Sequence, residues 1–185
     1  QSFSPFKLKE KVIGYGIEGN KYNVIKKNNL FLKRFPKIYN KKIILYFGRI
    51  HEKKGVDILI KSFSKISNQN RKAHLVIAGP YDKRIIAKLK RLIKIYNLNN
   101  SVTFTGPLFD KLKWHTFLAA HVFCLPSHQE NFGIAVAEAL SSKKPVIITN
   151  KVNIFKTIKN NSAGIVTNDN LISFSSGLKK FLQLN

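Results

Sequence analysis

The sequence predicts a Rossmann-like α/β fold: a three-layer α/β/α domain with a mostly parallel six-stranded sheet. Two observations carry this prediction. Short apolar runs alternate along the chain with longer stretches in which apolar residues recur every three or four positions. The first pattern is typical of strands buried on both faces, and the second of helices that bury one stripe. Their regular alternation favours parallel strands joined by right-handed helical crossovers.

The six predicted strands are short runs rich in β-branched and aromatic residues. They are Ile43–Phe47, Ala73–Ala78, Val102–Thr105, Val122–Leu125, Val146–Thr149 and Gly164–Val166. Each is followed by a segment with helical periodicity, as in the apolar set Ile58, Leu59, Phe63 and Ile66. The predicted helices are Val56–Ser67, Lys83–Tyr96, Asp110–Ala119, Phe132–Ser141, Val152–Lys159 and Leu171–Leu182.

Residues 1–40 lack sustained periodicity and are rich in Lys, Asn and Gly. They are therefore interpreted as an interdomain connector with one short strand around Lys11–Ile13, and the ordered domain is expected to span residues 41–185. The chain has no methionine, even at position 1, and no charged-then-apolar leader. We expect it to be a piece of a longer protein.

The composition is that of a globular protein, with 44% hydrophobic and 23% charged residues. No apolar run approaches the roughly 20 residues that cross a bilayer as a helix. The single cysteine, Cys124, lies inside the apolar run Val122–Leu125. We expect a buried, unreactive thiol and a reducing compartment rather than a disulfide, nucleophile or metal ligand.

The formal net charge of +24 would attract polyanions over long distances. The lysines, however, are spread through every segment together with many Asn and Ile residues, which a compositional bias would also produce. An anionic membrane surface stays a candidate partner. Nucleic acid is not expected as a partner because no recognition motif of the usual kinds is present.

A ligand site is expected beyond the carboxyl ends of the strands, as in other open parallel α/β sheets. The strand exits are Gly48-Arg49, Gly79-Pro80, Gly106-Pro107, Pro126–Glu130 and Thr149-Asn150. Glycine after a strand lets the backbone approach a ligand closely, although an ordinary turn would also explain each glycine taken alone.

The segment between Pro126 and Glu138 is the most informative of these exits. Asn131 can cap a helix that starts near Phe132, and the first-turn amides of that helix would form an anion site. Glu130 precedes this turn, and Glu138 lies about 9 Å further along the helix axis on nearly the same face. Two carboxylates are thus expected to line one groove. A capping acid plus a solvent-exposed acid is the alternative interpretation.

The stretch E-N-F-G-I-A-V-A-E, residues 130–138, resembles the E-x7-E signature of the nucleotide-sugar-binding C-terminal domain of retaining glycosyltransferases of group 1, or family 4, with the GT-B fold. Residues 48–55 resemble the G-R-x-x-x-x-K-G stretch of that family. Further segments agree in order and spacing: Leu75–Gly79, Val102–Gly106, Val122–Ser127 and Val12–Ile17, with Tyr15 in place of an asparagine. The resemblance therefore extends from about Val12 to the end of the chain.

The resemblance implies a role for each matching residue. Arg49 and Lys54 would neutralise the leaving diphosphate, and Glu130 would orient the transferred sugar; these three are the candidate catalytic residues. The remaining candidates would bind the donor. They are the loop residues Asn131, Phe132 and Gly133 through their amides, Glu138 at the ribose hydroxyls, Gly48 beside Arg49, and Gly79, Gly106 and Pro107 around the base.

No metal and no cofactor other than the donor substrate is expected, and none of the nine acidic residues forms an Asp-x-Asp pair. The chain departs from the family pattern at three places. His121 replaces an aspartate, Lys143-Lys144-Pro145 replaces Gly-x-Pro, and Asn150–Phe155 replaces a glycine-rich donor loop. The contacts of that loop cannot be carried over.

The resemblance thus implies a domain that binds a UDP- or GDP-sugar for retaining hexosyl transfer to a glycan or lipid-linked acceptor. The acceptor-binding N-terminal domain is expected to be absent from this chain, which would then be inactive alone. A cytoplasmic location is expected, with peripheral contact to the inner face of a membrane. The alternatives are a non-catalytic sugar-nucleotide or anion-binding module and, less favoured, a basic nucleic-acid-binding domain.

Overall fold

The computed structural model describes residues 16–20, 22, 26–68 and 70–183. Within them one sheet is formed by β1 (Lys42–Phe47), β2 (Ala73–Ala78), β3 (Val102–Gly106), β4 (Val122–Leu125), β5 (Val146–Thr149) and β6 (Gly164–Thr167). Their order across the sheet is β3-β2-β1-β4-β5-β6, and every pairing is parallel. The predicted fold class is confirmed, with a sheet that is parallel throughout. The strand predicted around Lys11–Ile13 lies outside the described residues.

Helices lie on both faces of this sheet. They are α1 (Leu30–Arg34), α2 (Val56–Ser67), α3 (Lys83–Ile95), α4 (Asp110–Ala119), α5 (Ile134–Ser141), α6 (Phe155–Asn160) and α7 (Leu171–Gln183). None of the helices in the described part of the chain is long and apolar enough to cross a membrane.

The third helix shows how the sequence pattern gives this packing. Asp82 caps it by accepting a hydrogen bond from the Arg84 amide at 2.7 Å. Ile86, Leu89 and Ile93 recur at spacings of three and four and are buried in the common hydrophobic core. Burying one such side chain stabilises the fold by about 1.5–3 kcal/mol, so the stripe fixes which face of α3 points inward.

The first helix is the main feature that the sequence did not predict. Phe31 and Leu32 of α1 are buried in the common hydrophobic core, together with Ile38. The Asn29 side chain caps α1 at the Leu32 amide and donates to the His115 carbonyl of α4 at 2.8 Å. A five-residue helix is too short to show periodicity, so the interpretation of residues 1–40 as a connector missed it.

Two helices begin later than predicted. Gly133, in a left-handed conformation with φ +77°, is the N-cap of α5, so Asn131 does not cap this helix and the predicted start at Phe132 is wrong. The helix predicted from Val152 starts at Phe155. The preceding residues are instead paired with the loop after β4: Val152 forms a parallel bridge with Glu130, whose amide donates to the Lys151 carbonyl at 3.0 Å.

The structure confirms the prediction that the single cysteine is buried. Cys124 of β4 is fully buried, and burial raises the pKa of its thiol well above the ordinary range. A thiol that stays protonated is a poor nucleophile and a poor metal ligand.

Candidate functional site

Three glycines lie side by side where β1, β2 and β3 end. The Gly48 amide donates to the Ala78 carbonyl and the Gly79 amide to the Gly106 carbonyl, each at 2.9 Å. A Cβ on Gly79 would lie 2.0 Å from the Gly48 oxygen, and its φ of +139° favours glycine as well. Gly79 is therefore required for close approach of two strand exits.

A cavity of about 450 Å³ opens at this carboxyl edge. Six of the predicted site residues line it: Gly48, Arg49, Lys54, Glu130, Gly133 and Glu138. Gly79, Gly106, Pro107, Asn131 and Phe132 are not among the lining residues. The first three belong to the neighbouring exits of β2 and β3, and the last two to the loop between Glu130 and Gly133. We call this cavity the carboxyl-edge pocket.

Lys54 is positioned by a turn that packs against the exit of β4. The turn ends at Gly55, whose φ is +65° and where a Cβ would lie 2.1 Å from the Pro126 carbonyl oxygen. The Ser127 hydroxyl and the His128 amide both donate to the Lys53 carbonyl at 2.9 Å. These contacts hold the loops after β1 and β4 together, and with them the residues that each loop carries.

The ammonium group of Lys54 forms an ion pair with the Glu130 carboxylate. Both side chains are about four-fifths buried, with 22% and 20% of their surface exposed. Partial removal from water strengthens the attraction between the two charges, and it also raises the free-energy cost of removing one of them. The pair therefore fixes both side chains at the mouth of the pocket.

Glu138 is the second carboxylate of the pocket and is also paired. Lys113 of α4 donates to its Oε1 at 2.5 Å and lies 5.0 Å from the Trp114 ring centre. Sequence reasoning missed Lys113, because one lysine on a helix does not stand out in a chain with 33 Lys and Arg residues. The prediction that two carboxylates line one groove is confirmed.

Tyr46 is a further lining residue that the sequence did not single out. Its hydroxyl donates to the Arg49 carbonyl at 2.8 Å, which fixes the backbone that carries the guanidinium. Burial raises the pKa of the Tyr46 phenol well above its usual range, and the nearby Glu130 charge raises it further. The phenol therefore remains a hydrogen-bond donor at neutral pH.

Of the three cationic side chains that line the pocket, two are paired with carboxylates. Lys54 and Lys113 each face a carboxylate, whereas the exposed Arg49 side chain has no carboxylate within ion-pair distance among the residues the structure describes. The helix α5 also begins here, with Ile134 and Ala135 in the lining. Its positive dipole end and its first-turn amides add to the attraction for an anion.

The histidines lie outside this pocket. His128 and His51 line a separate cavity of about 400 Å³ beside α2 and α3. In the described ranges no three His, Cys, Asp or Glu side chains are grouped closely enough to hold a metal ion. The expectation of a metal-free donor site stays a prediction.

Comparison with known proteins gives a family match that covers most of the chain. Residues 28–185 match the family described as glycosyl transferases group 1. A mannosylfructose-phosphate synthase from Agrobacterium fabrum is 32% identical over 123 residues, which is 63% of this chain and 27% of that protein. A capsular polysaccharide biosynthesis glycosyltransferase from Staphylococcus aureus is 28% identical over 161 residues, 84% of this chain and 41% of its own length.

Among solved structures, the HepE protein of Anabaena in complex with UDP superposes with a TM-score of 0.73 at 18% identity. The superposition covers 82% of this chain and 42% of that one. The chain thus spans between about a quarter and two-fifths of the length of these relatives.

Proposed function

Because the chain belongs to the group 1 glycosyl transferases, we propose that its carboxyl-edge pocket binds a nucleotide diphosphate-sugar as glycosyl donor. One observation carries the proposal: six of the predicted site residues, from the exits of β1 and β4 and from α5, line this one pocket. The UDP in the complex of the Anabaena protein is the nucleoside diphosphate part of such a donor.

The diphosphate is assigned to Arg49 and Lys54. A guanidinium binds two phosphate oxygens at once, and an ammonium adds a point charge. Arg49 carries the positive charge that the pocket leaves uncompensated, so it is the stronger attractor of the two. Together with the α5 amides these groups would offset the charge that develops on the leaving diphosphate during transfer.

The sugar and the ribose are assigned to the two carboxylates. Glu130, held by Lys54, would accept hydrogen bonds from the transferred hexose, and Glu138, held by Lys113, would accept them from the ribose hydroxyls. Each lysine holds its carboxylate in one orientation, which prepares it to accept hydrogen bonds from a ligand. Hexosyl transfer with retention of configuration is the reaction that the family resemblance implies.

The acceptor is assigned to a glycan or lipid-linked molecule, in keeping with the role of the Staphylococcus aureus relative in capsular polysaccharide biosynthesis. We expect acceptor binding to need residues beyond this chain, since transfer requires the acceptor hydroxyl to be held against the anomeric carbon. On this proposal the chain alone binds donor and transfers no sugar. Comparable transfer by the chain and by a longer parent protein would contradict it.

Calorimetric titration of UDP and GDP tests the donor assignment. In Arg49→Ala the affinity for the nucleoside diphosphate should fall by at least about 1.5 kcal/mol, the size of a lost charged hydrogen bond, whereas that for the nucleoside should change much less. Arg91→Ala removes the same group from the exposed side of α3 and is the matched control. Equal losses for nucleoside and diphosphate in Arg49→Ala would remove Arg49 from the phosphate site.

A non-catalytic sugar-nucleotide or anion-binding module would bind the same ligands. If the pocket has no catalytic role, Glu130→Gln in a longer protein that contains this chain should leave both donor binding and any sugar transfer unchanged. Loss of transfer with donor binding retained supports the enzyme.

A further inference from the structure

A second cavity, of about 470 Å³, lies at the opposite, amino edge of the sheet. We call it the amino-edge cavity. Five basic side chains line it: Lys26, Lys41, His121, Lys143 and Lys144. β1 has six residues and runs from this edge to the other, so at about 3.3 Å per residue the two cavities lie on the order of 20 Å apart. The amino-edge cavity is thus separate from the donor site.

The acidic residues that the structure describes all lie at the other edge. Of the nine in the sequence, eight fall within the described residues. Five stand in turns after strands or at helix beginnings: Glu52, Asp57, Asp82, Asp110 and Asp169. The other three, Glu18, Glu130 and Glu138, line cavities at the carboxyl edge. A compositional bias explains many lysines, but it does not explain an edge where the described chain has cations and no carboxylate.

The backbone at Lys143 gives a second, independent observation. Lys143 follows the end of α5 and has a φ of +57°. Its amide donates to the Leu140 carbonyl at 2.8 Å, and the Lys144 amide donates to the Ala139 carbonyl at 3.0 Å. Glycine is strongly favoured at this position of a helix end because a Cβ is strained there. The chain nevertheless places a long cationic side chain at the rim of the cavity.

Among the residues that the structure describes, none of the cations of the cavity has a carboxylate within ion-pair distance. Lys41 donates to the Arg71 carbonyl at 3.2 Å, and the Lys26 ammonium lies 4.8 Å from the centre of the Tyr39 ring.

Lys144 is half-buried, and burial lowers the pKa of its ammonium group. The pKa of His121 is lowered by burial and by the charges of Lys144, Lys42 and Lys26. Its Nδ1 accepts the Ile43 amide at 3.0 Å, so in the neutral ring Nε2 carries the proton and can donate. A bound anion would relieve this mutual repulsion.

We propose that the amino-edge cavity is a second binding site, which takes a phosphate or diphosphate group. Ammonium groups on flexible stems and an imidazole N–H are suited to bind phosphate oxygens as point charges and donors. The group can belong to a lipid headgroup or to a free phosphorylated molecule, since both present the same chemistry. This inference does not depend on the proposed glycosyl donor site.

Inorganic pyrophosphate is the probe, added to the Arg49→Ala variant so that the carboxyl-edge pocket is weakened. The imidazole resonances of His121 are followed by NMR. We expect a saturable shift, a pKa of His121 that rises on binding, and weakening of the interaction by added salt. Lys143→Gln with Lys144→Gln should reduce the affinity at least about tenfold, because two charge-assisted contacts are lost.

The matched control is Lys83→Gln with Lys90→Gln, which removes two exposed charges from α3. It should leave the affinity within about twofold, as expected for charges farther than a Debye length from the ligand. No saturable shift of His121, or equal losses in the two double variants, would overturn the proposal and leave only diffuse attraction.

Sedimentation with vesicles distinguishes the sources of the phosphate. Binding to phosphatidylglycerol vesicles but not to phosphatidylcholine vesicles, reversed by pyrophosphate, assigns the group to a lipid headgroup. Saturable pyrophosphate binding without sedimentation assigns it to a free phosphorylated molecule. Binding of a single-stranded oligonucleotide with no His121 response to pyrophosphate would overturn the proposal in favour of a nucleic-acid surface.

Discussion

The two carboxylates of the carboxyl-edge pocket are both engaged by lysines, Glu130 by Lys54 and Glu138 by Lys113. A ligand hydroxyl that bonds to either one therefore joins an existing ion pair instead of meeting a solvated acid. Because the pair holds the carboxylate in one orientation, less conformational entropy is lost on binding. At the scale of single residues, we expect this arrangement to let the site discriminate between hydroxyl groups.

We predict that Glu138→Gln removes the preference for a ribose over a deoxyribose. The unchanged protein should bind the ribonucleoside diphosphate about tenfold more tightly than its 2′-deoxy form, since a hydrogen bond to a charged group contributes about 1.5 kcal/mol or more. Calorimetry with both nucleotides measures the preference. Glu52→Gln, at an exposed acid paired with Lys88, is the control. A preference that survives in Glu138→Gln would exclude the assigned role.

The glycine at the exit of β2 is predicted to be essential for stability. Gly79→Ala brings a methyl group to within 2.0 Å of the Gly48 carbonyl oxygen, which should lower the free energy of unfolding by at least about 2 kcal/mol. At Gly106 a Cβ meets no atom within 4 Å, and only its φ of +71° opposes alanine. Gly106→Ala should thus cost only about 1 kcal/mol. Similar losses for both in urea unfolding would contradict the steric account.

At the scale of secondary-structure elements, the sequence predicted those helices and strands that have a recognisable pattern of apolar residues. The predicted bounds of all six strands and of the six longest helices agree with the observed bounds within a few residues. Each of these elements buries a run or stripe of apolar residues that is long enough to be recognised in the sequence. The start of α5 was misplaced because Gly133 competes with Asn131 as the cap, and a single sequence does not say which one wins. The pairing of Val152 with Glu130 could not be predicted, since it is a tertiary contact between two loops.

The β2–β3 pairing carries a pH-dependent contact. Buried His74 of β2 shares a 2.8 Å hydrogen bond with the Thr103 hydroxyl of β3. Burial, and then the Lys41 charge, lower the pKa of His74 from 6.5 to about 4. Above pH 6.5 both the folded and the unfolded chain hold this ring neutral. As the pH falls from 6.5 towards 4, the unfolded chain takes up a proton that the folded chain does not, so stability is lost.

We therefore predict that the free energy of unfolding falls more steeply over this window in the unchanged protein than in His74→Gln. The difference should approach about 1.4 kcal/mol for each pH unit below the unfolded pKa. Urea unfolding at a series of pH values measures it, with His51→Gln at an exposed histidine as control. Parallel profiles for the unchanged protein and His74→Gln would contradict the assignment.

At the scale of the whole molecule, the fold determines where the charged residues lie, whereas the sequence gives only their number. The net charge of +24 does not tell which part of the surface carries the excess of positive charge. In the described residues, the fold brings the carboxylates to the edge where strands end and helices begin, since acids favour helix N-termini. At the other edge it leaves lysines without carboxylates. From topology alone, the carboxyl edge could be predicted as the place of a ligand site. The lysine partners of Glu130 and Glu138 could not, because they depend on packing between distant segments.

We propose that the loops after β1 and β4 and the start of α5 together hold one nucleoside diphosphate without a metal ion. The decisive measurement is amide hydrogen exchange in EDTA, with and without saturating UDP or GDP. We predict slower exchange at residues 48–55 and 130–136, unchanged when Mg²⁺ or Mn²⁺ replaces EDTA, because Arg49, Lys54 and the α5 amides already offset the diphosphate charge. Nucleotide binding that leaves both segments unprotected, or protection that appears only with added metal, would contradict the account.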